Sequence, residues 1–305
     1  MVKSMNAAIA GLKSHQTKMD VLSNNIANVN TWGYKTRTTN FQDALYSNSI
    51  NGSSGKTEIG KLGGINTSQI GYGDTVSSIS TNFSTGSGQY TGNPLDCMID
   101  GTAFFIVGPY RDTAQTPIGN DAIDTSGLFL SRVGIFQPDS NGYLVDNTGN
   151  YVYGYSATTD DQGTVTINSD TLVPIRIPDK PNTNPAERYS IQTWTIGTDG
   201  TIVGVDETNM PITIGQIAVA SIENPSGLEQ NNGYLYKIGA NAGNVLAMQT
   251  TSATGNIKSN FLEMSNVDLA SDIATMITTQ RGYQANTKII TVTDEMLEQL
   301  VNMKR

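Results

Sequence analysis

A chain of 305 residues with one cysteine, one histidine and a net charge of −9 excludes several chemistries at once. No disulfide can close within a single chain, a Cys/His zinc site lacks ligands, and a Ser-His-Asp or Cys-His mechanism would have to use His15. Catalysis on carboxylates alone stays open, and Asn, Ser, Thr and Gly, about 40% of the residues, give the polar, turn-rich composition of all-β extracellular proteins.

Charge is uneven along the chain. Residues 1–37 carry Lys3, Lys13, Lys18, Lys35 and Arg37 against Asp20, a net +4, which leaves −13 for the remainder. A nucleic-acid binder clusters more base than this. Met1 to Gly11 lacks the apolar run and cleavage site of a secretory signal, and no stretch reaches the roughly 18 apolar residues of a membrane span.

The first predicted element is a helix of about 28 residues. Val2, Met5, Ile9, Leu12, Met19, Leu22, Ile26 and Val29 recur at three- and four-residue spacing, with Gln16 at the missing place, which makes a heptad seam. Residues 38–90 follow, rich in Ser, Thr, Asn and Gly, and read as an extended connector. From Pro94 to Pro225, where all ten prolines lie, strand-like runs are predicted at 103–107, 128–136, 151–155, 164–168, 172–177, 189–196 and 212–222, with another at 234–238. They are punctuated by Asn51-Gly52, Asp100-Gly101, Asn141-Gly142, Asp199-Gly200 and Asn232-Gly233, dipeptides suited to tight turns. The last element is a helix over about 267–303. Leu262, Leu269, Met276, Tyr283, Ile290 and Leu297 recur every seven residues there, with Ile273 and Val301 beside them. Asn266 is its candidate cap, with Asp268 and Asp272 in the first turn.

The predicted class is therefore α+β, an antiparallel β domain between long N- and C-terminal coiled-coil helices. The predicted segments are 1–35 (axial helix), 36–90 (connector), 91–257 (β-rich outer domain) and 258–305 (axial helix). Two narrow seams at opposite ends cannot bury themselves. They can pair within the chain as a stalk, or pack between subunits of a helical polymer; Gln280, Thr287 and Asp294 are polar interruptions that weaken a two-helix stalk.

Local motifs add little chemistry. Gly52-Ser-Ser-Gly55-Lys56-Thr57 has two residues between its glycines where a phosphate loop needs four. Asp160-Asp161-Gln162-Gly163 with Asp170 lacks the spacing and closing glutamate of a calcium loop. Asp96, Asp100, Asp199 and Glu223 could supply a glycosidase pair, although acidic turns produce the same residues by chance. In Leu95-Asp96-Cys97-Met98-Ile99, period two places Leu95, Cys97 and Ile99 on one buried face. His15 reads as a polar interhelical contact. No cofactor or metal is implied.

The segment Leu22 to Lys35 stands apart because Asn24, Asn25, Asn28 and Asn30 crowd the end of a seam. Asparagine side chains there can close the helix on backbone groups, and Gly33 permits a left-handed turn. This segment, including Thr31 and Tyr34, resembles the signature of the bacterial flagellar rod and hook proteins. So do Gly11-Leu12-Lys13-Ser14-His15-Gln16, the stretches 93–107 and 214–228, and Ser265 to Arg305. Within that family, Thr278 to Asn286 with Asp294-Glu295-Met296-Leu297 resembles hook subunits most, and the distal rod subunit is the near neighbour.

The resemblance implies a non-enzymatic structural subunit that polymerises with itself into a hollow tube. The expected subunit is that of the hook, whose tube is curved and transmits motor torque to the filament, with the straight distal rod as the alternative. It also implies rod, hook-cap and hook–filament junction proteins as partners, and export without a cleaved signal through the flagellar type III gate to an extracellular, flagellar location. Phe41 and Leu45 fit the short pattern proposed for docking at that gate, as two apolar residues one helical turn apart. A large outer domain of the kind found in larger hook proteins has no room here. The rival from another class is a secreted carboxylate glycosidase on a β scaffold.

Overall fold

The computed structural model describes residues 2–53, 63–111, 118–120, 123, 126–159, 165–177, 191–206, 211–231, 233–250 and 255–303. The motifs at Ser54–Thr57 and Asp160–Gly163, and the terminal Lys304 and Arg305, lie outside the described residues. The fold is α+β: a helix at each end of the chain and a mostly antiparallel β region between them. It divides into two compact units, Met1–Val29 with Thr36–Asn82 and Val267–Arg305, and Asn30–Lys35 with Phe83–Asn266.

The first unit holds α1 (Val2–Ala27) and α2 (Leu269–Met303), which pack on one another. Gly11 lies by Asn286 and His15 by Gly282, so the pair is antiparallel. α2 begins on Asp268, whose Oδ1 accepts the amides of Ala270 (3.0 Å) and Ser271 (3.4 Å). Asp268 is thus the cap in place of the expected Asn266, whose side-chain amide donates to the Ser84 carbonyl instead. A carboxylate at a helix start also meets the positive end of the helix dipole. Two antiparallel ribbons complete the unit: Arg37–Asp43 with Asp74–Thr81, and Tyr46–Ile50 with Ser68–Gly71. α1 lies on the first, where Lys18 Nζ sits 5.3 Å above the Phe41 ring and His15 meets that ring edge-on at 5.9 Å.

The second unit is built on an antiparallel sheet running 191–196, 201–206, 211–217, 151–159, 104–108, 129–131, 235–238, 228–230. Strand Phe104–Gly108 is apolar throughout and buried throughout, because both faces of the sheet are covered. Phe105 and Val107 enter one core with Leu95, Cys97, Ile99 and Phe136, while Phe104 and Ile106 enter a second with Tyr153, Leu172 and Ala218. Leu95, Cys97 and Ile99 share a face, as period two requires. Burial, reinforced by Asp96, pushes the Cys97 thiol far above its usual range, which leaves it a packing group. Three of the turn dipeptides place their glycine at positive φ: Gly142 (80°), Gly200 (74°) and Gly233 (70°).

Candidate assembly site

Small and polar residues line the approach of α1 and α2. A side chain added at Gly11 would begin 2.5 Å from Asn286 Nδ2, and one at Gly282 would begin 2.9 Å from the His15 ring. The buried side chains of α2 are Thr279 and Thr293. Their hydroxyls are satisfied by their own helix, at Thr275 O (2.7 Å) and Ile289 O (2.9 Å), so each can bury its methyl group at no hydrogen-bonding cost. Thr279, Gly282, Asn286 and Thr293 share one stripe at three- and four-residue spacing. The helices therefore meet at Gly11, His15, Gly282 and Asn286, and the predicted apolar seam of α2 lies beside this stripe.

Of the α1 seam, Leu22 is buried, Met5, Leu12, Met19 and Ile26 are half-buried, and Ile9 is exposed; Val2 lies on the helix. Of the α2 seam, Met276, Tyr283 and Ile290 are half-buried, whereas Leu269, Ile273, Leu297 and Val301 are exposed, Val301 at 66%. Ile277, Ile289, Val292, Met296 and Leu300 are exposed as well. Helix length explains the C-terminal part. With Gly11 beside Asn286, the 26 residues of α1 end near Glu295 of the 35-residue α2. About 12 Å of α2 then runs past its partner at 1.5 Å per residue.

The asparagine-rich segment closes α1. Asn28 donates through Nδ2 to the Asn24 carbonyl (2.9 Å) and to Asn24 Oδ1 (2.7 Å), and its backbone amide reaches Asn24 O. Buried Asn25 forms a two-way pair with the backbone of Arg37: Nδ2 donates to Arg37 O (2.9 Å) and Oδ1 accepts from Arg37 N (3.1 Å). The helix end and the first strand of the ribbon are thereby fastened together. Asn30 and Thr31 open the turn to Lys35, and Tyr34 N approaches Thr31 O at 3.4 Å.

Within the second unit, this turn carries a charged cluster that sequence reasoning missed. Gly33 takes φ +65° and donates its amide to the Glu263 carbonyl at 2.8 Å. Lys35 Nζ lies 2.5 Å from Glu263 Oε1, and Arg132 Nη1 lies 3.7 Å from Glu263 Oε2 and 2.8 Å from Gly101 O. All three side chains are 0–1% exposed. The Arg132 guanidinium also stacks 4.7 Å from the centre of the Phe104 ring. Burial lowers the Lys35 pKa, and Glu263 offsets that only in part, as expected where desolvation exceeds the Coulomb gain. A lysine depressed below 10.5 binds fewer protons folded than unfolded between the two pKa values, so its contribution to stability rises with pH across that window. The difference in melting temperature between the parent chain and Lys35→Met should therefore shift in favour of the parent as the pH rises towards 10.5. A shift the other way would contradict the dominance of desolvation.

Two of the four acidic residues considered for catalysis, Asp96 and Asp100, are engaged structurally. Asp96 accepts from Thr91 Oγ1 (2.7 Å) and Asn93 Nδ2 (3.1 Å), and Asp100 pairs with Lys258 at 2.6 Å. Phe41 lies in a strand and Leu45, 83% exposed, just beyond it. The helical turn expected for this pair is not formed in the folded chain, because residues 41–43 pair with 74–76.

Two family descriptions match the chain: "Flagella basal body rod protein" over residues 5–35 and "Flagellar basal body rod FlgEFG protein C-terminal" over residues 258–303. The chain is 36% identical over 307 positions to the flagellar basal-body rod protein FlgG of Bacillus subtilis strain 168, covering the whole of both. This chain belongs to the flagellar rod and hook family. It is 29% identical to the FlgG protein of Borreliella burgdorferi over 309 positions and 27% identical to that organism's flagellar hook protein FlgE over 461, again covering both chains. The family is a structural component of the flagellum, and its two matched regions contain α1 with its closing turn, and α2 with Glu263. No helix among the described residues is long and apolar enough to cross a membrane.

Proposed function

We propose that this chain is the distal rod subunit of the flagellar basal body, assembling with itself into a straight hollow tube. The observation that carries this over the hook reading is length: the rod relative aligns over 307 positions and the hook relative over 461, so the hook protein contains segments without a counterpart here. That agrees with the lack of room for a large outer domain. The hook reading draws on the Thr278–Asn286 motif, and tube curvature separates the two. Assembly in a coiled-coil manner is supported by the exposed apolar residues of α1 and α2, which form the kind of surface that another copy covers. Adjoining rod and hook proteins are the further partners. Electron microscopy of the purified, assembled chain should give straight tubes; curved tubes would favour the hook, and a chain that never polymerises would overturn both.

Export through the flagellar type III gate is part of the same proposal. Leu45 is exposed and Phe41 partly so, and both become available in an unfolded chain. Replacing both with Ala should reduce secretion several-fold in cells that cannot assemble the structure, where packing no longer contributes. Undiminished secretion there would leave the pair only its packing role.

A further inference from the structure

Glu263 gathers three stretches of chain that are far from it and from one another in sequence. Its carbonyl accepts the Gly33 amide at 2.8 Å; its Oε1 accepts Lys35 Nζ at 2.5 Å and the Gly86 amide at 2.8 Å; its Oε2 faces Arg132 at 3.7 Å. Lys35 Nζ continues to the Ser84 carbonyl at 2.8 Å, and the Met264 amide donates to Ser87 O at 2.9 Å. One short strand, Phe261–Glu263, paired with Gly88–Tyr90, thus supplies the acceptors for the Asn30–Lys35 turn and for segment 84–87. The balance is fragile. Two cations share one carboxylate, all of them buried, and Arg132 Nε, Arg132 Nη2 and Glu263 Oε2 have no hydrogen-bond partner among the described residues. Without the carboxylate, two buried cations would be left uncompensated, which is relieved by opening to water or by loss of the Lys35 proton, each at a cost to the packed site.

We propose that Glu263 is a latch: the Asn30–Lys35 turn and segment 84–87 order together, and only when the Phe261–Glu263 strand docks and supplies its charge. Glu263 is a positioning residue in this role. The latch concerns the second unit alone and stands whether or not the chain forms a rod.

Hydrogen exchange on the full-length monomer tests it. Glu263→Gln keeps the size and an acceptor but removes the charge. Exchange at the Gly33 and Gly86 amides should rise about a hundredfold, the effect of stranding a buried charge, while amides in 201–206 and 212–217 stay protected. Lys35→Met/Glu263→Met removes the pair together and should restore most of the protection at Gly33, whose acceptor is the Glu263 backbone carbonyl, because the site then holds one cation, already bonded to Gly101 and stacked on Phe104; Gly86, which loses its side-chain acceptor, should stay exposed to exchange. Should Glu263→Gln fail to fold, Glu263→Asp, which keeps the charge but is one methylene short, is expected to raise exchange at Gly86 alone. Parent-like exchange at Gly33 and Gly86 in Glu263→Gln overturns the latch. So does a rise spread evenly over 201–206 and 212–217 in whichever variant folds, and so does failure of both single variants to fold.

Discussion

Leu297→Asp is expected to abolish tube formation while leaving the monomer's melting temperature within about 2 °C of the parent chain. Leu297 lies on the part of α2 that extends past α1 and is 37% exposed. A carboxylate there touches water in the isolated chain, and such surface changes fall within about 0.5 kcal/mol. If the overhang is covered by a neighbouring copy, the same carboxylate is buried without a partner at a cost of several kcal/mol, repeated at every subunit. Ile273→Asp, 47% exposed, should behave alike. Met276→Asp, half-buried against the chain itself, should lose monomer stability as well as assembly. Sedimentation of assembled material, with melting of the soluble fraction by circular dichroism, measures both halves. Tubes of normal yield from Leu297→Asp would remove this surface from the contact.

Gly33→Ala should lower the melting temperature of the second unit by about 5–15 °C, taking about 2–4 °C per kcal/mol for a unit of this size. Two costs coincide at this position. The residue holds φ +65°, which costs an L-residue about 1–2 kcal/mol. Its added Cβ would also start 2.7 Å from Val133 Cγ2 and 3.3 Å from the Val133 amide, an overpacking of about 1–3 kcal/mol. The Gly33 amide cannot then keep its bond to Glu263 without a backbone shift. Gly119→Ala is the control, since open space surrounds that position and its φ is ordinary; it should melt within about 1 °C of the parent. Equal melting of the two variants would contradict the close packing of the turn on Val133.

What was legible in the sequence follows from the range of the interactions. Both helices follow from periodicity, and α1 and α2 start and end within about two residues of expectation, the normal uncertainty of such boundaries. Gly142, Gly200 and Gly233 follow from turn chemistry, and the shared face of Leu95, Cys97 and Ile99 follows from strand alternation. The ribbons in 37–81 escaped notice because strands built mostly of Ser, Thr and Asn carry no apolar alternation, even where one face of the first ribbon is half-buried. The stripe at Thr279, Gly282, Asn286 and Thr293 was hidden by the stronger apolar repeat beside it. The Glu263 cluster was out of reach for another reason. Lys35 and Glu263 are 228 positions apart, and a lysine that will be buried looks like any other in a basic segment. The only local hint was Gly33, whose need for a left-handed turn marked the place without naming its partner.

The claim on which the rest depends is that the apolar flanks of the helix pair are covered by other copies of the chain. A cryo-electron microscopy reconstruction of the assembled tube measures this directly. The account predicts a straight tube in which Ile9, Ile273, Leu297 and Val301 are buried against neighbouring subunits. A tube whose subunits touch only through their β units, with those four side chains facing water, would contradict it.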